Sequence, residues 1–304
     1  MIVAHYTNIR KACLILEGEG LRFSKLANLN DPYESCQKFP GVEGRPEEVE
    51  AIDEDENFAF QTDVLSKYLR IACFTMPYLT NKDPKFSAAF NMPMWAHYAE
   101  SESRNPKELD SYNIETIPEG IAIPGVVLLL DLNVLLEQLS SNALFELICA
   151  RPVSYFPQDS DQLRKYETCP AVREVQEIKR EIIRISTEKW FNKSSDWIYE
   201  REYRIMIYDD SSSQSYLDVG QALVGIVTQF HDKPYGNRFP LLRSERDFLN
   251  RYKDKHYELW YEPNNQYYKL MKNEMKVTAM PHSFFSDYYL IDNPPRYLTN
   301  SIKP

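Results

Sequence analysis

Glutamates at 200 and 202, with an arginine at 204, are the side chains of this sequence whose types and spacing best fit chemistry. The run Trp197-Ile198-Tyr199-Glu200-Arg201-Glu202-Tyr203-Arg204-Ile205-Met206-Ile207 reads as a strand, in which neighbouring side chains face opposite ways. Tyr199, Arg201, Tyr203, Ile205 and Ile207 then share a face fit mostly for a core. Glu200, Glu202 and Arg204 share the other. Two carboxylates on one face repel, so one is expected to resist ionisation and to supply general acid–base chemistry. A carboxylate there also suits the oxocarbenium-like state through which a glycosidic bond breaks. Metal binding and a solvated face, with Arg204 neutralising its neighbours for little energy, are the other two readings. Residue types and spacing leave all three open.

Three further clusters offer polar or aromatic groups. In His5-Tyr6-Thr7, a strand would point His5 and Thr7 one way and Tyr6 the other. His5 and Thr7 can meet a ribose or phosphate oxygen, or serve as satisfied structural residues. Phe23-Ser24 is followed by Asn30-Asp31-Pro32-Tyr33-Glu34, a turn in which Asn and Asp bond their own backbone and Pro fixes φ. The faces of Phe23 or Tyr33 can hold a flat cationic ring by stacking and cation–π attraction. Trp95 and Tyr98, three apart, share one helical face, a spacing that favours a core pair over a ligand cage.

The elements that must position these residues follow from pattern. Ile2 to Tyr6 reads as a strand, Asn8 as a cap, and Ile9, Ala12, Cys13 and Leu16 as the apolar face of a helix ended by Gly18 and Gly20. Leu21 to Ser24 and Ile71 to Thr75 read as strands, and residues 92–99 as a short helix. Residues 120–130 read as a strand or hairpin, followed by an Asp131-capped helix reaching about Cys149. Val153-Ser154-Tyr155 is a short strand, residues 171–190 an amphipathic helix, and Leu223 to Val227 a buried strand. Residues 40–60 read as an acidic exposed loop or weak helix. Mixed order without regular βα alternation predicts an α+β fold.

Composition limits the rest. The chain has 304 residues, with 43% hydrophobic residues, 13% aromatics and a formal charge of −10. That is a globular profile with no basic bulk for duplex nucleic acid. Its 5 cysteines are scattered without CxxC spacing, so neither a zinc site nor a disulfide framework is expected. No HExxH occurs, and no GxGxxG follows a strand, so neither a metal cofactor nor a Rossmann site is expected. The opening residues lack the pattern of a signal peptide, and Val126 to Leu130 is too short to span a bilayer; a cytoplasmic protein without membrane contact is expected.

Taken together and in order, these clusters carry a resemblance. His5-Tyr6-Thr7, Leu29-Asn30-Asp31-Pro32-Tyr33-Glu34, Cys73-Phe74-Thr75, Trp95-x-x-Tyr98 and Lys193-x-x-x-Trp197-x-Tyr199-Glu200-x-Glu202-x-Arg204 resemble the motifs of the bacterial domain of unknown function 2971 family, over about residues 3–230. That family in turn resembles ADP-ribosyltransferases. The resemblance implies a split mixed or antiparallel β-sheet core with flanking helices. It implies a catalytic domain over residues 1–230, with residues 231–304 as a C-terminal extension packed on it.

It also implies NAD as substrate, without a metal. His5 and Thr7 match the first-strand H-G-T/S pattern that grips the adenosine ribose, although Tyr6 stands where that pattern has glycine. Glu202 would bond the nicotinamide ribose 2′-hydroxyl, and Glu200 would take the acceptor's proton. Tyr6, Phe23, Ser24, Asn30, Asp31, Tyr33, Trp95, Tyr98 and Arg204 complete the implied nucleotide contacts. A bacterial toxin or anti-phage effector is expected, with a protein or nucleic-acid acceptor, single-stranded RNA among them, and an antitoxin protein as partner. Two other readings stay open: a nucleotide- or partner-binding module without turnover, and a Mg²⁺-dependent nuclease using Glu200, Glu202 and Asp31.

Overall fold

Asn8 marks the first boundary as its side chain dictates. Its Oδ1 accepts from the Lys11 backbone N–H at 2.9 Å, which ends the strand Ile2–Asn8 and caps the helix Ile9–Glu17. The computed structural model describes residues 1–25, 41–42, 68–78, 86–99, 125–142, 146–157, 160, 168–169, 187, 190–209, 215–230, 243–262, 267–272 and 275–281. The Asn28–Glu34 turn, with Asn30, Asp31 and Tyr33, lies outside the described residues, as do nearly all of the acidic stretch 40–60 and of the helix expected over 171–190. The fold is mixed α+β, with mostly antiparallel pairing and few helices, as the order of elements predicts. None of the described helices is long and apolar enough to cross a membrane.

Two compact units are interleaved along the chain. The first comprises Met1–Leu21, Phe74–Glu137 and Leu217–Asn293. Its central strand, Gly125–Asp131, pairs antiparallel with Ile2–Asn8 on one side and with Leu223–Phe230 on the other. Val126 to Leu130 are all at 0% exposure, which is why a continuous apolar run without alternation occupies this position. Leu223–Phe230 pairs parallel with His256–Glu262, and the helix Arg243–Arg251 lies in the connection that a parallel pair requires. Tyr267–Lys272 and Met275–Pro281 extend the sheet antiparallel. One face carries Ala4, Tyr6, Val127, Leu129, Val227, Tyr257 and Leu259 into a core filled by Phe86, Phe90 and Trp95. The helix Ile9–Glu17 packs on Ile2–Asn8, on Gly125–Asp131 and on the helix Arg243–Arg251.

Residues 92–99 do not form one regular helix. A single α turn, Met92–Met94, passes into a π turn, Trp95–Ala99, whose last residue is pressed against the central strand. A Cβ at Gly125 would come within 2.6 Å of the Ala99 Cβ and 2.9 Å of its carbonyl oxygen, so only glycine admits this approach.

The second unit comprises Arg22–Cys73, Gln138–Tyr216 and Pro294–Pro304. Glu202–Tyr208 pairs antiparallel with Glu146–Pro152, and it also pairs with Leu69–Thr75. Cys149, expected near a helix end, lies in a strand instead: the helix Leu132–Ser141 is shorter than predicted, and Cys149 and Leu147 pair with Met206 and Ile207 across an irregularity that leaves Ile148 between them without a partner in the register. Leu69, Ile71, Trp190, Phe191 and Met206 form this unit's apolar core. A short strand, Ser154–Phe156, pairs parallel with Asn192–Ser194, setting Tyr155 opposite Lys193.

Candidate active site: an acid pair buried with two cations

The acid pair is assembled differently from the single strand that its spacing predicts. Ser194 accepts from the Asp196 N–H and starts a 3₁₀ turn over Ser195–Glu200. Arg201 then takes a left-handed conformation, φ 49° and ψ 52°, the one non-glycine residue with positive φ among those described. Only at Glu202 does the strand begin. Glu200 therefore belongs to a turn, not to the face that Glu202 and Arg204 share. The face expected to be shared by Tyr199, Arg201 and Tyr203 fails for the same reason: the backbone turns left-handed at Arg201.

Glu200 is nevertheless brought to Glu202 by a third residue. The Lys193 Nζ donates to the Glu200 Oε2 at 2.6 Å and stands 3.7 Å from the Glu202 Oε2. Arg204 donates from one terminal nitrogen to the Glu202 Oε2 at 2.7 Å and from the other to the Trp190 carbonyl at 2.6 Å. The Lys193 ammonium also lies 4.7 Å from the centroid of the Trp197 ring. Glu200, Glu202 and Arg204 are 2%, 6% and 1% exposed, so the solvated-face reading is overturned. Both faces of the strand Glu202–Tyr208 are buried, and its charges persist there because each has a partner of opposite sign.

The expected reluctance to ionise does not hold at Glu202. Burial alone would raise its pKa. The Arg204 guanidinium, the Lys193 ammonium and hydrogen bonds from Arg204 and the Cys73 thiol outweigh burial and hold the carboxyl below its ordinary value. Tyr155 feels the opposite balance: burial, then the charges of Glu202 and Glu200, push its phenol well above the usual range. That phenol oxygen stays neutral and accepts from the Glu202 backbone N–H at 2.9 Å, fixing the first residue of the strand. The cluster thus presents an ionised carboxylate, suited to stabilising positive charge and unsuited to donating a proton at neutral pH.

The other expected contacts separate into three groups. Tyr6 and Trp95 belong to the first unit's core. The Tyr6 hydroxyl donates to the Ala88 carbonyl at 2.6 Å and accepts from the Asn91 N–H at 3.1 Å. The Trp95 indole donates to the Ala89 carbonyl at 2.8 Å, and its ring meets the Tyr6 ring edge-on at 5.6 Å. Both rings are spent on packing, and Tyr98 rests half-buried against the same core. Phe23 is buried too, with Ser24 half-exposed beside it. His5 is half-exposed, its ring 6.0 Å from that of Phe74; Thr7, two residues on, is buried. Asn30, Asp31 and Tyr33 lie outside the described residues. Among the described residues no group of three or more His, Cys, Asp or Glu is arranged to hold a metal ion.

Pattern reading missed Tyr155 and gave Lys193 and Trp197 no role. Lys193 and Trp197 stand at the head of the motif that ends in the acid pair, which is the signal available for them. Tyr155 lies 47 residues before Glu202 and carries no such signal. No family model, curated protein or solved structure matches the chain.

Proposed function

We propose that the protein is an NAD-consuming ADP-ribosyltransferase in which Glu202 stabilises the reacting ribose. The observation that carries the reading is a buried Glu202 paired with Arg204, with a second carboxylate held beside it through Lys193. In the reaction, the bond between ribose C1′ and the nicotinamide nitrogen breaks, and its electron pair leaves with neutral nicotinamide. Positive charge develops at C1′. A fixed carboxylate on the 2′-hydroxyl side stabilises that charge more than it stabilises bound NAD, which is the condition for raising the rate. An acceptor nucleophile then bonds C1′, and its proton passes to Glu200. Strain at Arg201 fits this reading, since left-handed non-glycine residues gather where geometry serves chemistry.

The kinship with ADP-ribosyltransferases, the ribose contacts of His5 and Thr7, and the toxin or anti-phage role rest on motif resemblance. The acceptor on this reading is a protein side chain or a nucleic acid, single-stranded RNA among them. The test is labelled NAD incubated with cell lysate, comparing wild type with Glu202→Gln. Label transfer and nicotinamide release should fall about 10²–10³-fold in the variant, the size of a lost transition-state contact. Equal labelling by both proteins removes Glu202 from the mechanism.

One observation favours a second reading, a nucleotide- or partner-binding module without turnover. The two carboxylates and two cations satisfy one another and are almost closed to solvent. A cluster of that kind also serves to fix a turn. This reading gives thermal stabilisation by NAD or another nucleotide with no nicotinamide released.

A further inference from the structure

Lys193 has no part in the chemistry above, yet the acid pair is organised around it. It projects from Asn192–Ser194, whose parallel pairing with Ser154–Phe156 sets it opposite Tyr155. Its ammonium, with the side chain 4% exposed, contacts Glu200 at 2.6 Å, stands 3.7 Å from Glu202 and sits over Trp197. An apolar side chain of similar length would fill this volume without giving up hydration, so filling space does not explain an ammonium here. Its position does: one cation lies against both of two carboxylates that are only two residues apart.

We propose, on the reading that Glu202 stabilises the reacting ribose, that Lys193 is the positioning residue of the pair: by engaging Glu200 it keeps the two carboxyl groups from sharing a proton. The groups that face Glu202 are Arg204 on its own strand, Glu200 on the turn, Lys193 on Asn192–Ser194, Tyr155 on Ser154–Phe156 and Cys73 on Leu69–Thr75. Lys193 touches both acids. Removing its charge leaves the two buried carboxylates short of the cation they share, a change that favours retaining a proton.

The experiment uses Lys193→Met, the double variant Lys193→Met/Glu200→Gln and wild type, with ¹³C-carboxyl NMR to titrate Glu202 and a nicotinamide-release assay across pH. Lys193→Met should move the Glu202 midpoint upward. Its kcat should fall most at the acid end of the profile and recover as pH rises, while KM stays near the wild-type value. The double variant, which removes one charge of each sign, should return the Glu202 midpoint to the wild-type position even if the single variant does not fold. A midpoint unmoved in Lys193→Met, or displaced in the double variant as far as in the single one, overturns the proposal. Wild type that releases no nicotinamide defeats the transferase reading instead, and the NMR titration still judges Lys193.

Discussion

Two seven-residue strands, Ile2–Asn8 in the first unit and Glu202–Tyr208 in the second, handle their polar residues in opposite ways. In Ile2–Asn8 the work is divided by face. Ala4 and Tyr6 enter the aromatic core, while His5 and Thr7 take the other side. The single polar atom that Tyr6 carries inward is satisfied by two backbone groups of the 86–91 segment. In Glu202–Tyr208 both faces are buried, and the charges of Glu202 and Arg204 have no solvated side to occupy. They are neutralised by each other and by Lys193, with Tyr155 pinning the backbone. Burying a hydroxyl costs one pair of hydrogen bonds; burying a charge requires a countercharge in the right place.

Arg204→Met should therefore have the largest effect on stability of any single change considered. It strands the Glu202 carboxylate with the more distant Lys193 and removes the donor to the Trp190 carbonyl. Breaking a buried pair from one side costs about 3–5 kcal/mol. Chemical denaturation should register a loss of that size. A loss under about 1 kcal/mol, the worth of an exposed pair, would show that the strand's charges are better hydrated than their burial indicates.

Tyr6→Phe tests the other side of the comparison. The ring and its edge-on contact with Trp95 remain, while the Ala88 carbonyl and the Asn91 N–H lose their shared partner. Leaving such groups unsatisfied costs about 1–3 kcal/mol. A neutral outcome would mean that water reaches the 86–91 segment and that this hydroxyl does not anchor it.

The same contrast explains what pattern reading could reach. Asn8 as cap, Gly18 as stop and a strand within residues 120–130 are local signals, and each holds, the strand being Gly125–Asp131. So does the division of Tyr6 from His5 and Thr7, because period-two alternation is a property of the strand itself. The acid pair was legible as a candidate, but its geometry was not. Arg201 carries no glycine or asparagine signature for its left-handed turn, so the 3₁₀ segment reads as strand. Whether Glu202 keeps or loses its proton depends on Lys193, nine residues earlier, and on the packing that seals both. Only tertiary structure supplies that information.

Acid should separate the two units. His256, hydrogen-bonded to the Thr228 hydroxyl at 2.9 Å in the first unit, has its pKa lowered from 6.5 by burial. Glu202, in the second, is held below its ordinary 4.5 by Arg204 and Lys193 against the effect of burial. Both folded-state values are depressed, so in both cases the unfolded chain binds the proton first. The stability each contributes is present above its unfolded pKa and is lost as pH falls through the folded one. The windows differ. His256 begins to shed its share just below pH 6.5, whereas Glu202 keeps its own until below pH 4.5. Peptide-resolved hydrogen exchange in mild acid should show Leu223–Phe230 and His256–Glu262 losing protection while Glu202–Tyr208 retains it. His256→Gln should flatten the first effect, and loss in the reverse order would refute this assignment of windows.

The smallest effect concerns the turn that sets Glu200 beside the strand. An L-residue in the left-handed region costs about 1–2 kcal/mol relative to the right-handed one, and Arg201 bears that cost at φ 49°. Its N–H closes the turn onto the Ile198 carbonyl at 3.2 Å, so the conformation belongs to the turn and is not imposed by the side chain. Glycine removes the steric cost but brings about 0.5–1 kcal/mol of extra chain entropy to be lost on folding. Alanine keeps the strain and deletes the same side-chain contacts that glycine deletes. The comparison of Arg201→Gly with Arg201→Ala therefore isolates the backbone: glycine should be the more stable by about 0.75 kcal/mol, the difference between the midpoints of the two costs. Equal stability for the two variants would mean that the turn relaxes out of the left-handed region once the guanidinium is gone, and that the Arg201 side chain, more than the backbone geometry, brings Glu200 to Lys193.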